Sequence, residues 1–271
     1  MKSYAIYDAD LNRTTAIGYM FYYEKAESFI IELCEDLDEW EAPLLFQGLV
    51  QQDIYTVSKE DSLLWVKERV IPSGRQNIGM VLKNHRLKTY SEMALLALSK
   101  GKCSQDSCYL EEVSEEELPE SIVKRRKKNL RECFVTGDKQ LLCMFMDNTV
   151  RKVDPAKLTE KKTEVAHILK NEELMHSVCV GVGGYSASFG GVVEIPASEL
   201  RRNGVLLPLT ADDFLNFVRT NVIDTTEACE KMQCSRQNLS YLVKEGKFKP
   251  LICGTKENLY LKGDIERKRK E

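Results

Sequence analysis

The stretch over residues 224–267, DTTEACEKMQCSRQNLSYLVKEGKFKPLICGTKENLYLKGDIER, constrains the fold more than any other part of the chain. Thr225 or Thr226 is placed to cap a short helix over 227–232. Gln233-Cys234 makes a turn, and Ser235 is a good N-cap for a second helix over 236–245, which Gly246 closes. Ala228 and Met232 lie four apart on the first helix, and Leu239, Leu242 and Val243 share one stripe on the second. Two short helices joined by a tight turn and locked by such a patch predict a helix-turn-helix. At about 100° per residue, Arg236, Gln237, Ser240, Tyr241 and Lys244 fall on the side away from the apolar stripe. An ordinary solvated helix face would show the same polarity. The residue types are nevertheless those that read nucleic acid: Arg pairs with guanine, Gln with adenine, and Ser, Tyr and Lys hold phosphates.

The sequel sharpens this expectation. Residues 246–252 read as a strand, 253–258 as a turn containing Gly254-Thr255-Lys256, and Leu259-Tyr260-Leu261 as a strand pairing back, with a basic tail helix behind. This order resembles the MerR and excisionase type of winged DNA-binding domain. The resemblance rests on TTEACEKMQCSRQNLSYLVKEGK, the Pro250 strand and Lys262-Gly263-Asp264-Ile265-Glu266. It implies double-stranded DNA as a partner, with Ser235, Arg236, Gln237, Ser240, Tyr241, Lys244 and Lys256 as the contacting residues. One departure is plain: Gln233 stands at the turn where that family often has Gly, which accepts φ > 0 at no cost.

At 271 residues the chain has room for two or three domains. An apolar fraction of 43% and a charged fraction of 30% are those of a soluble globular protein. No apolar run approaches the length of a membrane span, and the N-terminal MKSYAIYDADLNR has no signal-peptide pattern, so a cytoplasmic location is expected. Nine scattered cysteines read as free thiols in a reducing compartment. Net charge is only −3, but it is unevenly placed. Residues 1–123 carry 12 Lys and Arg against 22 Asp and Glu, a balance of −10, and residues 124–271 carry 27 against 20, a balance of +7. DNA would repel the front half and attract the back half.

Residues 1–113 read as an α+β unit with early strands (4–7, 16–23, 29–33), middle helices (59–68, 74–83, 92–98) and a closing strand at 108–110. The pattern Trp65, Arg69-Val70-Ile71-Pro72, Arg75 and Asn77-Ile78, with Leu82, Tyr90, Leu95-Leu96, Gly101, Asp106 and Tyr109, resembles the N-terminal subdomain of HipA-type toxin kinases. In that family a strand pair with a glycine, here Gly18-Tyr19-Met20-Phe21-Tyr22, precedes the helical part. The kinase half is missing from the pattern. No glycine-rich loop followed by a helix-opening Lys, and no catalytic loop with metal-binding Asn and Asp, occurs. The resemblance therefore implies ancestry and a possible HipA-like kinase partner, and the unit is expected to bind or assemble rather than catalyse.

Residues 114–131 read as a charged linker, acidic to Glu120 and then basic, with a helix expected from Pro119 onward; the KRRKKNLR run is expected as a solvated face, with phosphate contact or pairing with the acidic front as the alternatives. Residues 132–206 read as a second α+β unit: strands at 133–135, 141–146, 149–154, 177–181 and 185–195, a short helix at 165–170 and a helical turn at 196–200. Phe145-Met146-Asp147-Asn148, Val153-Asp154, Leu158 and Ile195-Pro196 with Leu200 resemble a small bacterial domain of unknown function whose relatives are often joined to a helix-turn-helix. Cys103 and Cys108, like Cys229 and Cys234, lack the second pair that a structural zinc site needs. No catalytic set, metal site or cofactor is expected, and His167 and His176 give general-base chemistry few candidates.

The expectation is thus a multidomain α+β protein: units at 1–113 and 132–206, a linker at 114–131, and a winged helix-turn-helix at 207–271. It is expected to be a non-enzymatic, sequence-specific DNA-binding transcriptional regulator, acting as a homodimer. The sharper version is an autoregulating antitoxin or accessory protein of a HipA-like toxin–antitoxin system. The alternative is a non-catalytic module that docks a kinase-like partner without reading DNA.

Overall fold

The computed structural model describes residues 1–158, 162–254 and 257–270. It contains helices and antiparallel sheets, an α+β architecture. The first sheet is built from β1 (Lys2–Asp8), β2 (Gly18–Tyr23), β3 (Ser28–Leu33) and β4 (Cys108–Val113), in the order β3-β2-β1-β4. Between β3 and β4 run α1 (Gln47–Val50), α2 (Lys59–Arg69), α3 (Ile78–Asn84) and α4 (Glu92–Ser99).

Alternation along the strands decides what each sheet face meets. Tyr4, Ile6, Met20, Phe29, Ile31 and Leu33 face a core completed by helical residues such as Trp65, Val66, Leu95 and Leu96. Ser58 caps α2, its Oγ accepting from the Asp61 amide at 3.0 Å, and Ser91 caps α4 in the same way. Trp65 and Arg69 sit one turn apart on α2. The Arg69 guanidinium lies 3.6 Å from the Trp65 ring centre and pairs with Asp106, while the Tyr90 hydroxyl donates to the Ile71 carbonyl at 3.0 Å. This part of the Trp65–Tyr109 pattern therefore holds the unit's own interior together.

The other sheet face shows what the expected linker contains. α5 (Glu120–Arg126) lays Ile122, with Leu118 before it, onto Ala5, Tyr19 and Phe21. Its basic residues meet the acidic front: Arg125 pairs with Glu32 and Glu35, and Arg126 with Glu115.

β5 (Leu130–Val135), β6 (Leu141–Phe145) and β7 (Thr149–Val153) form a meander. α6 (Lys162–Lys170), α7 (Glu172–His176), β8 (Val178–Val180), β9 (Ser186–Phe189), β10 (Val193–Pro196) and α8 (Ala197–Asn203) follow. The expected single strand over 185–195 is two strands, β9 and β10, because Gly190 and Gly191 at φ 57° and 71° turn the chain between them. β8, β9 and β10 form a sheet whose inner residues share one core with β5–β7, including Phe145, Phe189, Ile195 and Leu200.

β11 (Val205–Thr210) spans the expected boundary at 206/207 and pairs with β7, giving the order β11-β7-β6-β5. α9 (Ala211–Asn221) covers the second face of that sheet, burying Ala211 against Met144 and Val150, with the rings of Phe214 and Phe134 6.4 Å apart. The residues 207–221 thus pack with the middle sheet.

The middle sheets meet the first at Gly183, and Gly184 packs within the middle unit itself. Both have positive φ, 60° and 74°, and a side chain would collide with the Tyr23 hydroxyl at the first and the Leu130 carbonyl at the second. Tyr185 follows, half-buried, with its hydroxyl buried on the side of Glu32. Lys59 and Glu194 form a further bridge at 3.3 Å.

The C-terminal elements are β12 (Val222–Ile223), α10 (Thr225–Met232), α11 (Arg236–Lys244), β13 (Tyr260–Leu261) and α12 (Lys262–Lys270). Ile223, Ala228, Leu239, Phe248, Tyr260 and Ile265 make their core. No helix among the described residues is long and apolar enough to cross a membrane.

Candidate nucleic-acid interface

Local chemistry sets the two helices that carry the candidate residues. Asp224, rather than Thr225 or Thr226, caps α10: its carboxylate accepts from the Glu227 amide at 2.9 Å, an anion at the positive helix end. Thr225 is the first helical residue, and its hydroxyl donates instead to the Asn258 carbonyl at 3.2 Å. α10 ends in the left-handed conformation at Gln233, φ 54°, the position where a glycine would carry no strain. Cys234 turns the chain and Ser235 caps α11, accepting from the Asn238 amide at 3.2 Å.

α11 is amphipathic as its spacing predicts. Leu239 is fully buried, and Leu242 and Val243 pack at the edge of the same core. Ser235, Arg236, Gln237, Ser240, Tyr241 and Lys244 are all exposed. The structure brings these six together along one helix and its cap. Lys256 lies outside the described residues.

Arg236 reaches back across the turn and donates to the Thr226 hydroxyl at 2.6 Å. This contact ties the first residue of α11 to the first turn of α10 and gives the guanidinium a defined place in the free protein. Lys247 sits with its ammonium 5.8 Å from the Tyr241 ring centre. Lys247 and Lys249 are exposed on either side of buried Phe248, which is an anchoring residue of the core. Thr226, Lys247 and Lys249 extend the polar and basic surface beyond the residues that helical spacing selects. The alternation Lys-Phe-Lys was the signal available for the two lysines. Over residues 222–271 the chain has 11 Lys and Arg against 8 Asp and Glu.

The strand expected over 246–252 does not form along its length. The amides of Lys247 and Phe248 both turn back to the Leu242 carbonyl, at 3.0 and 3.2 Å, completing the end of α11. Pro250 has no amide to give. Pairing is reduced to a bridge between Ile252 and Leu259. Tyr260 and Leu261 pair with Ile223 and Val222 instead, tying the start of the unit to its end.

Elsewhere, Cys108 and Cys229 are buried in the cores of their units, and Cys103 and Cys234 are half-buried. All nine thiols are free. Burial pushes Cys108 up to about 12, and burial followed by the neighbouring Cys234 raises Cys229, so neither offers a thiolate near neutral pH. Among the described residues no group of three or more His, Cys, Asp or Glu side chains could hold a metal ion.

Compared with protein families, with curated proteins and with solved structures, the chain matches none of them.

Proposed function

We propose that the chain is a sequence-specific DNA-binding regulator whose α11 enters the major groove. The observation that carries this reading is the continuous exposed face of α11, bearing Arg236, Gln237, Ser240, Tyr241 and Lys244 opposite buried Leu239. Arg236 and Gln237 stand in the first turn, where a recognition helix addresses base edges; Tyr241 and Lys244 stand a turn or two later, where phosphates pass. One short helix covers only a few base pairs, so useful specificity calls for two copies on two half-sites. The resemblance of residues 65–109 to the HipA N-terminal subdomain supports the narrower reading of a cytoplasmic, autoregulating antitoxin or accessory protein of a HipA-like system.

A second reading is a non-catalytic module that docks a kinase-like partner without reading DNA. It is favoured by Trp40 and Leu44, 77% and 85% exposed on the acidic front half. Tryptophan in such a setting is a typical anchor for a protein partner.

The test is binding of the purified chain to duplexes from its own upstream region, with a scrambled duplex as control, at two salt concentrations. Preferential binding that weakens with salt is expected, the slope giving the number of phosphates neutralised. Absence of preference at both salts would reject the DNA reading in favour of the docking module.

A further inference from the structure

β5 and β6 place two cysteines face to face. In their antiparallel register Cys133 stands directly opposite Cys143, and the two sulfurs lie 3.6 Å apart. The hairpin sets the kind of pair they make. The Thr136 amide donates to the Gln140 carbonyl at 2.8 Å, so Thr136 and Gln140 are a hydrogen-bonded pair. Counting back in twos, Phe134 with Leu142 is the next of that kind, which makes Cys133 and Cys143 a non-hydrogen-bonded pair. In such a pair the side chains approach most closely and the Cα atoms sit about 4.5 Å apart, within the span that a disulfide bridges without moving the backbone.

We infer that Cys133 and Cys143 are a dithiol site that oxidises to a cross-strand disulfide, with a low-molecular-weight disulfide as the oxidant. One Sγ attacks the small disulfide as a thiolate, forming a mixed disulfide and releasing one small thiol. The second Sγ then displaces the other small thiol, and the Cys133–Cys143 bond closes. The protein pair loses two electrons and two protons, and the oxidant leaves as two thiols.

Both sulfurs belong to the buried core that Leu141 and Phe145 also fill, so the reaction needs the hairpin to open. The fold provides for that opening. β5 is the outermost strand of its sheet, and the Gly137-Asp138-Lys139 turn that joins it to β6 is exposed. Once closed, the bond ties this outer strand to β6 and fixes the hairpin that follows α5. The site is independent of the DNA reading, since neither sulfur lies on the C-terminal elements.

The test is peptide mapping of the full chain after incubation with glutathione disulfide, with remaining thiols alkylated before digestion. Trypsin separates the two cysteines into residues 132–139 and 140–151. The two peptides should be recovered joined, at their summed mass less two hydrogens, and should separate under reductant. Cys179 and Cys253 are exposed and report, by carrying glutathione, that the oxidant acted. Free thiols at Cys133 and Cys143 beside modified Cys179 and Cys253 would overturn the inference, and so would pairing of either with other cysteines as often as with each other. A second measurement separates a site built by the fold from chance pairing. The equilibrium constant for closing the bond against glutathione should be at least about tenfold larger in the native chain than in the chain unfolded in urea. An equal or smaller constant in the native chain overturns the inference as well.

Discussion

The carboxylate of Glu32 on β3 and the guanidinium of Arg125 on α5 form an ion pair at 2.7 Å, with the Glu32 side chain fully buried. Strand alternation explains the position: Phe29, Ile31 and Leu33 fill the core on one face, so Ile30 and Glu32 face the side that α5 covers. The Thr56 hydroxyl donates to the same carboxylate at 2.9 Å, and Arg125 also donates to the carbonyls of Leu33 and Tyr55.

Arg125→Met leaves Glu32 buried without its cation and should cost about 3–5 kcal/mol, while Glu32→Leu combined with Arg125→Met should cost far less. Burial raises the Glu32 carboxyl above its usual value, and Arg125 only partly opposes that. A raised carboxyl contributes stability below its unfolded value and loses it as pH rises through the folded one. The single variant should therefore lose less stability at about pH 5 than at about pH 8. Urea melts of both variants at both pH values check this; equal losses at the two would remove the buried charge as the cause.

Acid should destabilise the middle sheets from the opposite direction. Asp147 is raised by burial, but hydrogen bonds from Arg201 at 2.6 Å and from Thr149 at 2.7 Å outweigh it and leave it low. Hydrogen bonds from Lys152 and then Thr136 hold Asp138 at about 2. Groups held low contribute stability above their unfolded values and lose it as pH falls through the folded ones. Carboxyl resonances followed by NMR should place the Asp138 midpoint at about 2, and Lys152→Met should move it toward the ordinary Asp value.

Gln233 carries strain that a smaller residue removes. At φ 54° its Cβ is in the disfavoured left-handed region. Gln233→Gly should stabilise the C-terminal unit by about 0.5–1 kcal/mol, the relief of strain exceeding the entropy that Gly loses on folding. Gln233→Val should destabilise it by more, because a β-branched side chain tolerates that region least. Thermal unfolding of the two variants should bracket the wild type; a less stable glycine variant would contradict the strain argument.

On DNA, two residues of α11 should fail differently. Arg236→Ala should relax preference at one or two base positions, at about 1–3 kcal/mol per lost base contact. Lys244→Ala should weaken binding to all sequences alike and lower the salt slope by about 1. Titrations against a panel of single-base variants at several salt concentrations separate the two, and indistinguishable effects would reject the assigned roles.

Most of the local architecture can be read from side-chain chemistry. Ser58, Ser91 and Ser235 announce their helices because a hydroxyl at that position satisfies an otherwise orphaned amide. The exposed face of α11 follows from 100° steps alone. What is not legible depends on distant partners. In α5, Leu118 and Ile122 are two apolar residues amid charge, and only the open face of the first sheet makes them a core. Glu32 is one acid within an apolar strand, and its meaning appears only with Arg125, ninety-three residues later. β11 and α9 escape a periodicity search because Val205–Thr210 is interrupted by Pro208 and because their apolar residues are spread over a strand and a helix. Tyr260 resembles the return strand of a hairpin, yet it pairs with Ile223, since Lys247 and Phe248 spend their amides on the end of α11.

One junction described above has a mechanical side. α9 ends at Asn221 and β12 begins at Val222, with no residue between them to act as a swivel. The orientation of the C-terminal elements on the middle sheets is therefore set where α9 meets β12. One alanine inserted within α9 would turn everything downstream by about 100° and advance it by about 1.5 Å. Such a variant would carry the C-terminal elements to a new orientation on the middle sheets while leaving their own core contacts in place.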